Sequence, residues 1–338
     1  MNKSINLLLL YLIVSYTVLF ANENIFINAK VAIPLIEKND IQFLAVQEND
    51  KIIKGSKVVN IKLLSSTTVL GKMPCTPFYA CSNQVEKYFS SLGIIPDKSL
   101  ILYDSSYGVY ASTLYTILES MGHKNITILD GGIKAVEQLD PNQKLYDKYQ
   151  NELKASKVVT QDNNRTLSTD KSDSIESNLL KKMEMIKPHL LIEKKLNFTT
   201  AVKSDYVIQE KKSDYLLSTK DLRNIVKKVQ SMEANITIVD ACPMVDIVGN
   251  RYGSYLSGVT SFSWKRLINI KENRLKSKEL LETIFTKMAL KKDEYNYIYC
   301  MSESSKALFM MLVMRELGYT KVKAYTGDWS VWTGEANE

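Results

Sequence analysis

The chain has 338 residues, room for two domains of roughly 100–150 residues each and a connector. Its 45% hydrophobic and 24% charged content is that of a globular protein, and 44 basic against 37 acidic side chains leave a net charge of only +7. That excess is spread along the chain with no run that reads as a nucleic-acid surface, and supports at most a weak preference for small anions.

At the N-terminus a short basic start, MNKSIN, precedes the 14-residue apolar run LLLLYLIVSYTVLF and the small residue Ala21. This is the pattern of a secretory signal peptide over residues 1–21. The run falls short of the about 20 residues a spanning helix needs. Leu19 is a poor residue two positions before Ala21, so an uncleaved anchor is the alternative. No cysteine lies near the cleavage point, which argues against a lipoprotein. The expectation is an exported, periplasmic protein with no stable membrane insertion after cleavage and no nucleic-acid partner.

Further along, IQFLAV (41–46) reads as a strand. Cys75 and Cys81, in MPCTPFYACSN, are close enough to bridge a loop before a helix containing Val85. Export permits a structural disulfide there; a redox-active or sulfur-relay pair is the sharper alternative. LILY (100–103) is a buried strand, and after a polar loop Leu114, Ile117, Leu118 and Met121 recur at helical spacing. Gly122 stands where a left-handed residue would close that helix. ITIL (126–129) and the turn DGG follow. Residues 140 to 215, rich in Lys, Asp, Asn and Ser, show no sustained apolar period and read as a long connector. STKDLRNIVKKVQ (218–230) then opens a helix capped by Ser218 or Thr219, and ITIVDA (236–241) is a strand. YIY (297–299) ends at Cys300, and Leu308, Met311, Leu312 and Val313 begin another helical period closed at Gly318. VKAY (322–325) and the turn TGD complete the series.

These segments repeat. Shifted by 196 residues, 96–132 lies over 292–328 without a gap: Asp97 on Asp293, Tyr103 on Tyr299, Ala111 on Ala307, Gly122 on Gly318, Gly131 on Gly327. Phe89 and Phe285 coincide just upstream. One offset held over that distance indicates duplicated domains. The strand–helix–strand order of each copy makes it an α/β unit on a mainly parallel sheet. The divisions expected are 22–140, a connector at 141–215, and 216–338.

In a parallel sheet, sites form beyond the carboxyl ends of the strands. Cys300 sits there, before a helix N-terminus whose amides and dipole favour a thiolate. Such a thiolate is a nucleophile that can carry a transferred atom. The bland reading is a buried structural cysteine, but Ser302 to Lys306 are too polar and small for a core. Neither His123 nor His189 follows Cys300, which removes a papain-like Cys–His pair, and the scarcity of His argues against a zinc site. In the first copy the matching residue is Asp104, so one copy keeps the nucleophile and the other lacks it.

This asymmetry resembles the tandem-domain rhodaneses, the thiosulfate and mercaptopyruvate sulfurtransferases, whose non-catalytic first domain often carries Asp at the Cys position. LILYDSSYGVYASTLYTILESMGHKNITILDGG is similar to the inactive half's signature, and YTGDWSVW, with Trp329 and Trp332, to the family's closing motif. In SYLSGVTSFSW (254–264), where the family has a Gly-His-Ile-Pro-Gly-Ala-like turn, only Gly258 and Trp264 keep its character.

The resemblance implies that Cys300 takes sulfur from a small sulfur-containing anion donor, becomes a persulfide, and hands it to a thiol or cyanide acceptor without cofactor or metal. The loop amides of Met301, Ser302, Glu303, Ser304, Ser305 and Lys306 would hold the persulfide. Glu303 departs from the Gly usual there, and should raise the thiol pKa and repel thiosulfate. Lys306 would offset this by pairing with Glu303 or with substrate, or is simply a solvated lysine. Arg251 is the remaining candidate cation for substrate.

Cys242, after ITIVDA, replaces an Arg usual in the family, and lies at the same sheet edge as Cys300. It is a candidate resolving thiol, or a partner that locks Cys300 in a disulfide. Cys300 to Lys306 also resembles the Cys-x5-Arg loop of related phosphatases and arsenate reductases, for which Lys306 is a poor substitute. The rival to a sulfurtransferase is a non-catalytic rhodanese-like binding or redox-sensing module.

Overall fold

The computed structural model describes residues 24–46, 51–61, 64, 82–148, 206–207, 214–231, 235–243, 256, 258–327 and 332–334. The apolar N-terminal segment, Cys75, Cys81, Arg251, Trp329 and most of 141–215 lie outside the described residues. Among the described residues, no helix is long and apolar enough to cross a membrane.

The first copy contains strands β1 (Phe26–Asn28), β2 (Ile41–Val46), β3 (Lys51–Ile53), β4 (Lys57–Val59), β5 (Ser99–Tyr103), β6 (Ile126–Asp130) and β7 (Tyr146–Lys148). Its helices are α1 (Ser82–Ser91), α2 (Val109–Ser120) and α3 (Gly132–Leu139). The second copy runs β8 (Leu216–Leu217), α4 (Thr219–Gln230), β9 (Ile236–Asp240), β10 (Thr260–Ser261), β11 (Ile268–Asn269) and β12 (Arg274–Leu275). It ends with α5 (Lys278–Lys287), β13 (Tyr295–Tyr299), α6 (Ser304–Glu316) and β14 (Val322–Tyr325).

Two five-stranded sheets result, ordered β1-β6-β5-β2-β4 and β8-β14-β13-β9-β10, and every pairing in them is parallel. The two orders are the same topology, with β5 corresponding to β13 and β6 to β14. Helix closure repeats as well. Gly122 and Gly318 both have φ of 85°, and the His123 and Tyr319 amides each reach back five residues, to the Leu118 and Met314 carbonyls. Ser218 begins α4 with a capping box to Asp221.

The strand pleat sorts the core into layers. On β5, Ile101 and Tyr103 face an outer cluster with Phe43, Leu129 and Ile133, whereas Leu100 and Leu102 face inward. The second sheet has its own outer cluster, built on Leu222, Ile238, Tyr299 and Tyr325. Between the sheets lies one core shared by both copies, in which α2 and α6 pack together. That docking explains a departure from a one-faced helix pattern: Ala307 through Met314 are all buried, because the sheet covers one side of α6 and the other copy covers the rest. On α2 the buried hydroxyls of Ser112 and Thr116 donate to the Gly108 and Ser112 carbonyls, at 2.7 and 2.8 Å, so these two enter the core satisfied, whereas the buried Thr113 hydroxyl has no partner among the described residues.

The ends of the apparent connector also fold onto the first copy. Tyr146 of β7 is buried where this strand pairs antiparallel with β3. Tyr206 is buried, with its ring edge-on to Phe89 at 5.1 Å. Segments this short show no period, so their packing was not visible in sequence.

Candidate active site

Strand β13 delivers Cys300 to the carboxyl edge of the second sheet, and α6 starts four residues later. Met301 is buried, Ser302 is exposed, and Glu303 to Lys306 are partly buried. Contrary to what this polarity suggests, Cys300 is 0% exposed and belongs to the shared core with Val239, Ile298 and Ala307. The physical reason is packing: the sulfur is bonded to Cys242 and the residue sits in that core cluster, while only Ser302 of the loop is exposed.

Cys300 is joined to Cys242 by a disulfide, with their Cα atoms 5.1 Å apart and a sequence separation of 58. Backbone pairing sets this up. Strands β9 and β13 are neighbours with Asp240 opposite Tyr299, and the ladder continues when the Ala241 amide donates to the Tyr299 carbonyl at 2.9 Å. On its other side the Ala241 carbonyl accepts from the Trp264 amide at 2.9 Å. The next residue, Cys242, therefore leaves the sheet beside Cys300, with its own amide held by Asp240 Oδ1 at 2.9 Å. Cys242 is half-buried, so it is the more exposed residue of the pair.

The first copy shows what the same strand–loop–helix unit does with an anion. Asp104, 0% exposed, accepts four backbone hydrogen bonds: Oδ1 from Ser106 and Gly108 at 2.7 and 2.8 Å, Oδ2 from Tyr110 and Ala111 at 2.8 and 2.9 Å. Burial pushes this carboxyl up from its ordinary range, and the four amides pull the other way. Left-handed backbone at Tyr107 (φ 65°) and Gly108 (φ 90°) closes the cradle. Gly132 supports it from behind: its φ is +56° and a Cβ there would overlap the Asp104 carbonyl oxygen, which accepts from the Ile133 amide.

In the second copy the position of Tyr107 is taken by Glu303, whose backbone is extended at φ −169°. In this oxidised state the sulfur turns to Cys242 and meets Ser302 Oγ at 3.3 Å. The Lys306 amide, which matches that of Tyr110, donates instead to the Glu303 carbonyl at 3.2 Å. The ring of amides expected over 301–306 is thus not closed about the disulfide.

Glu303 does not stand as a bare charge at the loop. Lys306 Nζ lies 3.0 Å from its carboxylate, and the Tyr110 hydroxyl of the first copy is near enough to feel its charge. Burial first, then the Glu303 charge, raises the Tyr110 pKa. Sequence reasoning singled out Lys306 but missed Tyr110. The signal was the repeat itself, since Tyr110 and Lys306 occupy equivalent positions 196 residues apart and both lie near Glu303. Trp264 was noted only as a family remnant. It packs edge-on to Phe309 at 5.9 Å and near Tyr107 at 6.4 Å, joining the two loops' surroundings. A cavity of about 850 Å³ lies elsewhere, near the C-terminal ends of α2 and α6, and is lined by Glu119, Tyr215 and Arg315 but by neither cysteine.

Residues 35–139 match the Rhodanese-like domain family. No curated protein matches the chain. Among solved structures, it is similar to SseA from Escherichia coli, described as a 3-mercaptopyruvate sulfotransferase of "rhodanese" fold, with a TM-score of 0.62 and 17% identity over 91% of this chain and 99% of that one. Tum1 from Saccharomyces cerevisiae aligns at TM-score 0.59 and 15% identity, covering 92% of this chain and 95% of its own. The 3-mercaptopyruvate sulfurtransferase from Leishmania major aligns at 0.57 and 11%, covering 92% and 75%. The first copy thus matches the rhodanese-like domain family, and the two copies together have the tandem rhodanese fold.

Proposed function

We propose that the protein is a sulfurtransferase that carries a sulfane sulfur on Cys300. The observation that carries this reading is the pairing of two equivalent strand–loop–helix units, one with four amides closed on the Asp104 anion and the other presenting Cys300 at the matching position. The fold it shares with structures described as mercaptopyruvate sulfurtransferases is consistent with it.

The disulfide is the resting, oxidised form in this reading, and a dithiol reductant opens it to two thiols while becoming a disulfide itself. The Cys300 thiolate then attacks the outer sulfur of a donor. With thiosulfate, a new S–S bond forms at Cys300 as the donor's S–S bond breaks, and the electron pair leaves with sulfite. With mercaptopyruvate the same S–S bond forms as the donor's C–S bond breaks, its electron pair leaves with the carbon as the enolate, and the donor's thiol proton converts that enolate to pyruvate. The loop amides of Met301 to Lys306 would close on the persulfide as those of the first copy close on Asp104. An acceptor thiolate or cyanide finally takes the outer sulfur and returns Cys300 as thiolate. Export by a signal peptide over residues 1–21 would put this chemistry outside the cytoplasm, where a disulfide can persist between turnovers.

One observation favours a non-catalytic redox module: Cys300 is fully buried and already bonded to Cys242. Intact mass separates the two. After reduction and removal of reductant, incubation with thiosulfate or mercaptopyruvate should add one sulfur atom to the Cys242→Ser protein, and none to the Cys300→Ser protein. No uptake from either donor would replace the enzyme with the redox module.

A further inference from the structure

Resting on the reading of Cys300 as the sulfur carrier, we infer that Cys242 is its resolving thiol, so that the acceptor lies within the chain and the sulfur leaves as hydrosulfide. Three features lead there. The Cys242 sulfur reaches the inner sulfur of any Cys300 persulfide, because the two are bonded in this structure. That reach is built into the sheet: paired strands β9 and β13 end together, and the ladder on both sides of Ala241 fixes where Cys242 emerges. The third is access. Cys300 is 0% exposed whereas Cys242 is only half-buried, so an incoming thiol of any bulk meets Cys242 first.

The step balances without a further reactant. The Cys242 thiolate attacks Sγ of Cys300–S–SH, the Cys242–Cys300 bond forms, and the bond to the outer sulfur breaks with its electron pair. Hydrosulfide departs with the persulfide proton. The outer sulfur is reduced by two electrons and the two cysteines are oxidised to the disulfide seen here. A dithiol reductant regenerates the pair by attacking Cys242, the more exposed residue, through a mixed disulfide that expels Cys300 as the thiolate ready for the next donor. The residue thereby sets the partner class: a dithiol protein or small dithiol that supplies electrons, rather than a thiol that carries sulfur away.

The test is a single turnover under anaerobic conditions, with reduced full-length protein freed of reductant and a substoichiometric donor. Sulfite from thiosulfate, or pyruvate from mercaptopyruvate, counts sulfur loading, and hydrosulfide counts release. Wild type should release about one hydrosulfide per sulfite or pyruvate formed, with peptide mapping showing the Cys242–Cys300 link and no retained sulfur. Cys242→Ser should load equally, keep the extra sulfur, and release hydrosulfide only when an external thiol is added. If wild type loads but retains its sulfur, with no hydrosulfide and no disulfide, the resolving role is overturned while Cys300 as carrier stands. If sulfite and pyruvate never form in either protein, the carrier reading falls and the resolving role with it. The wild-type ratio decides the question even if the variant fails to fold.

Discussion

Glu119 and Arg315, at equivalent positions of the two copies 196 residues apart, clasp each other through two hydrogen bonds of 2.6 and 2.7 Å. Near a pseudo-two-fold axis a residue meets its own counterpart, and like charges there would repel. Divergence has placed opposite charges in a bidentate pair instead, with Tyr215 stacked 4.9 Å from the guanidinium.

This pair should be worth more than a surface ion pair, since its side chains are only 21% and 25% exposed. Glu119→Ala leaves the guanidinium facing Tyr115 and Tyr215, and the expected loss is about 2–3 kcal/mol, below the range for fully buried pairs. The double exchange, Glu119→Arg with Arg315→Glu, should recover most of it. Urea midpoints at unchanged slope measure both.

The Asp104 cradle predicts a steep cost at a residue without catalytic chemistry. Asp104→Ala strands four buried amides, and a loss of about 3 kcal/mol or more is expected. Asp104→Asn, though isosteric, should rescue little, because one end of its amide is a donor facing donors. Hydrogen exchange at Ser106, Gly108, Tyr110 and Ala111 should accelerate in both variants.

Asp130 links the copies by accepting the Leu275 amide at 2.8 Å. Burial, opposed by that amide and by Arg274, raises its pKa from 3.8 to about 6. The folded state therefore holds the proton more tightly than the unfolded chain. The stability this group contributes is full below about pH 4 and is lost as pH rises through about 6. Asp130→Asn keeps the acceptor oxygen and removes the titration. It should match wild type below pH 4 and exceed it at pH 7.5 by at most about 3 kcal/mol, read from unfolding curves across that range.

In the proposed reaction an anionic donor would approach Glu303, which is paired with Lys306. Glu303→Gln should speed sulfite release from thiosulfate by reduced protein about three- to tenfold at low salt, and Lys306→Ala should slow it by a similar factor. Both effects should shrink at high ionic strength, while rates with a neutral donor change little.

Much of the architecture was legible in the linear chain. Strand length, helical spacing and Gly122 with Gly318 are local signals, and their recurrence at one offset revealed the duplication before any coordinates. The carboxyl-edge position of Cys300, with Cys242 after the adjacent strand, follows from the same reading, because parallel strand ends in a single sheet lie side by side. The resemblance to tandem rhodaneses rested on residues in both halves, Asp104 and Cys300 among them.

Burial of Cys300, the open backbone at Glu303 and the nearness of Tyr110 were decided by packing between surfaces far apart in sequence. No local period encodes which face of α6 meets α2, so a loop of serines and charges looked exposed while the sulfur it follows was covered. The chain alone specified two α/β units, a thiol at the end of one strand and a carboxylate at the end of its twin. Tertiary structure decided that the carboxylate is enclosed by amides and the thiol is bonded to Cys242, since backbone direction at Tyr107, Gly108 and Glu303 depends on what each loop packs against.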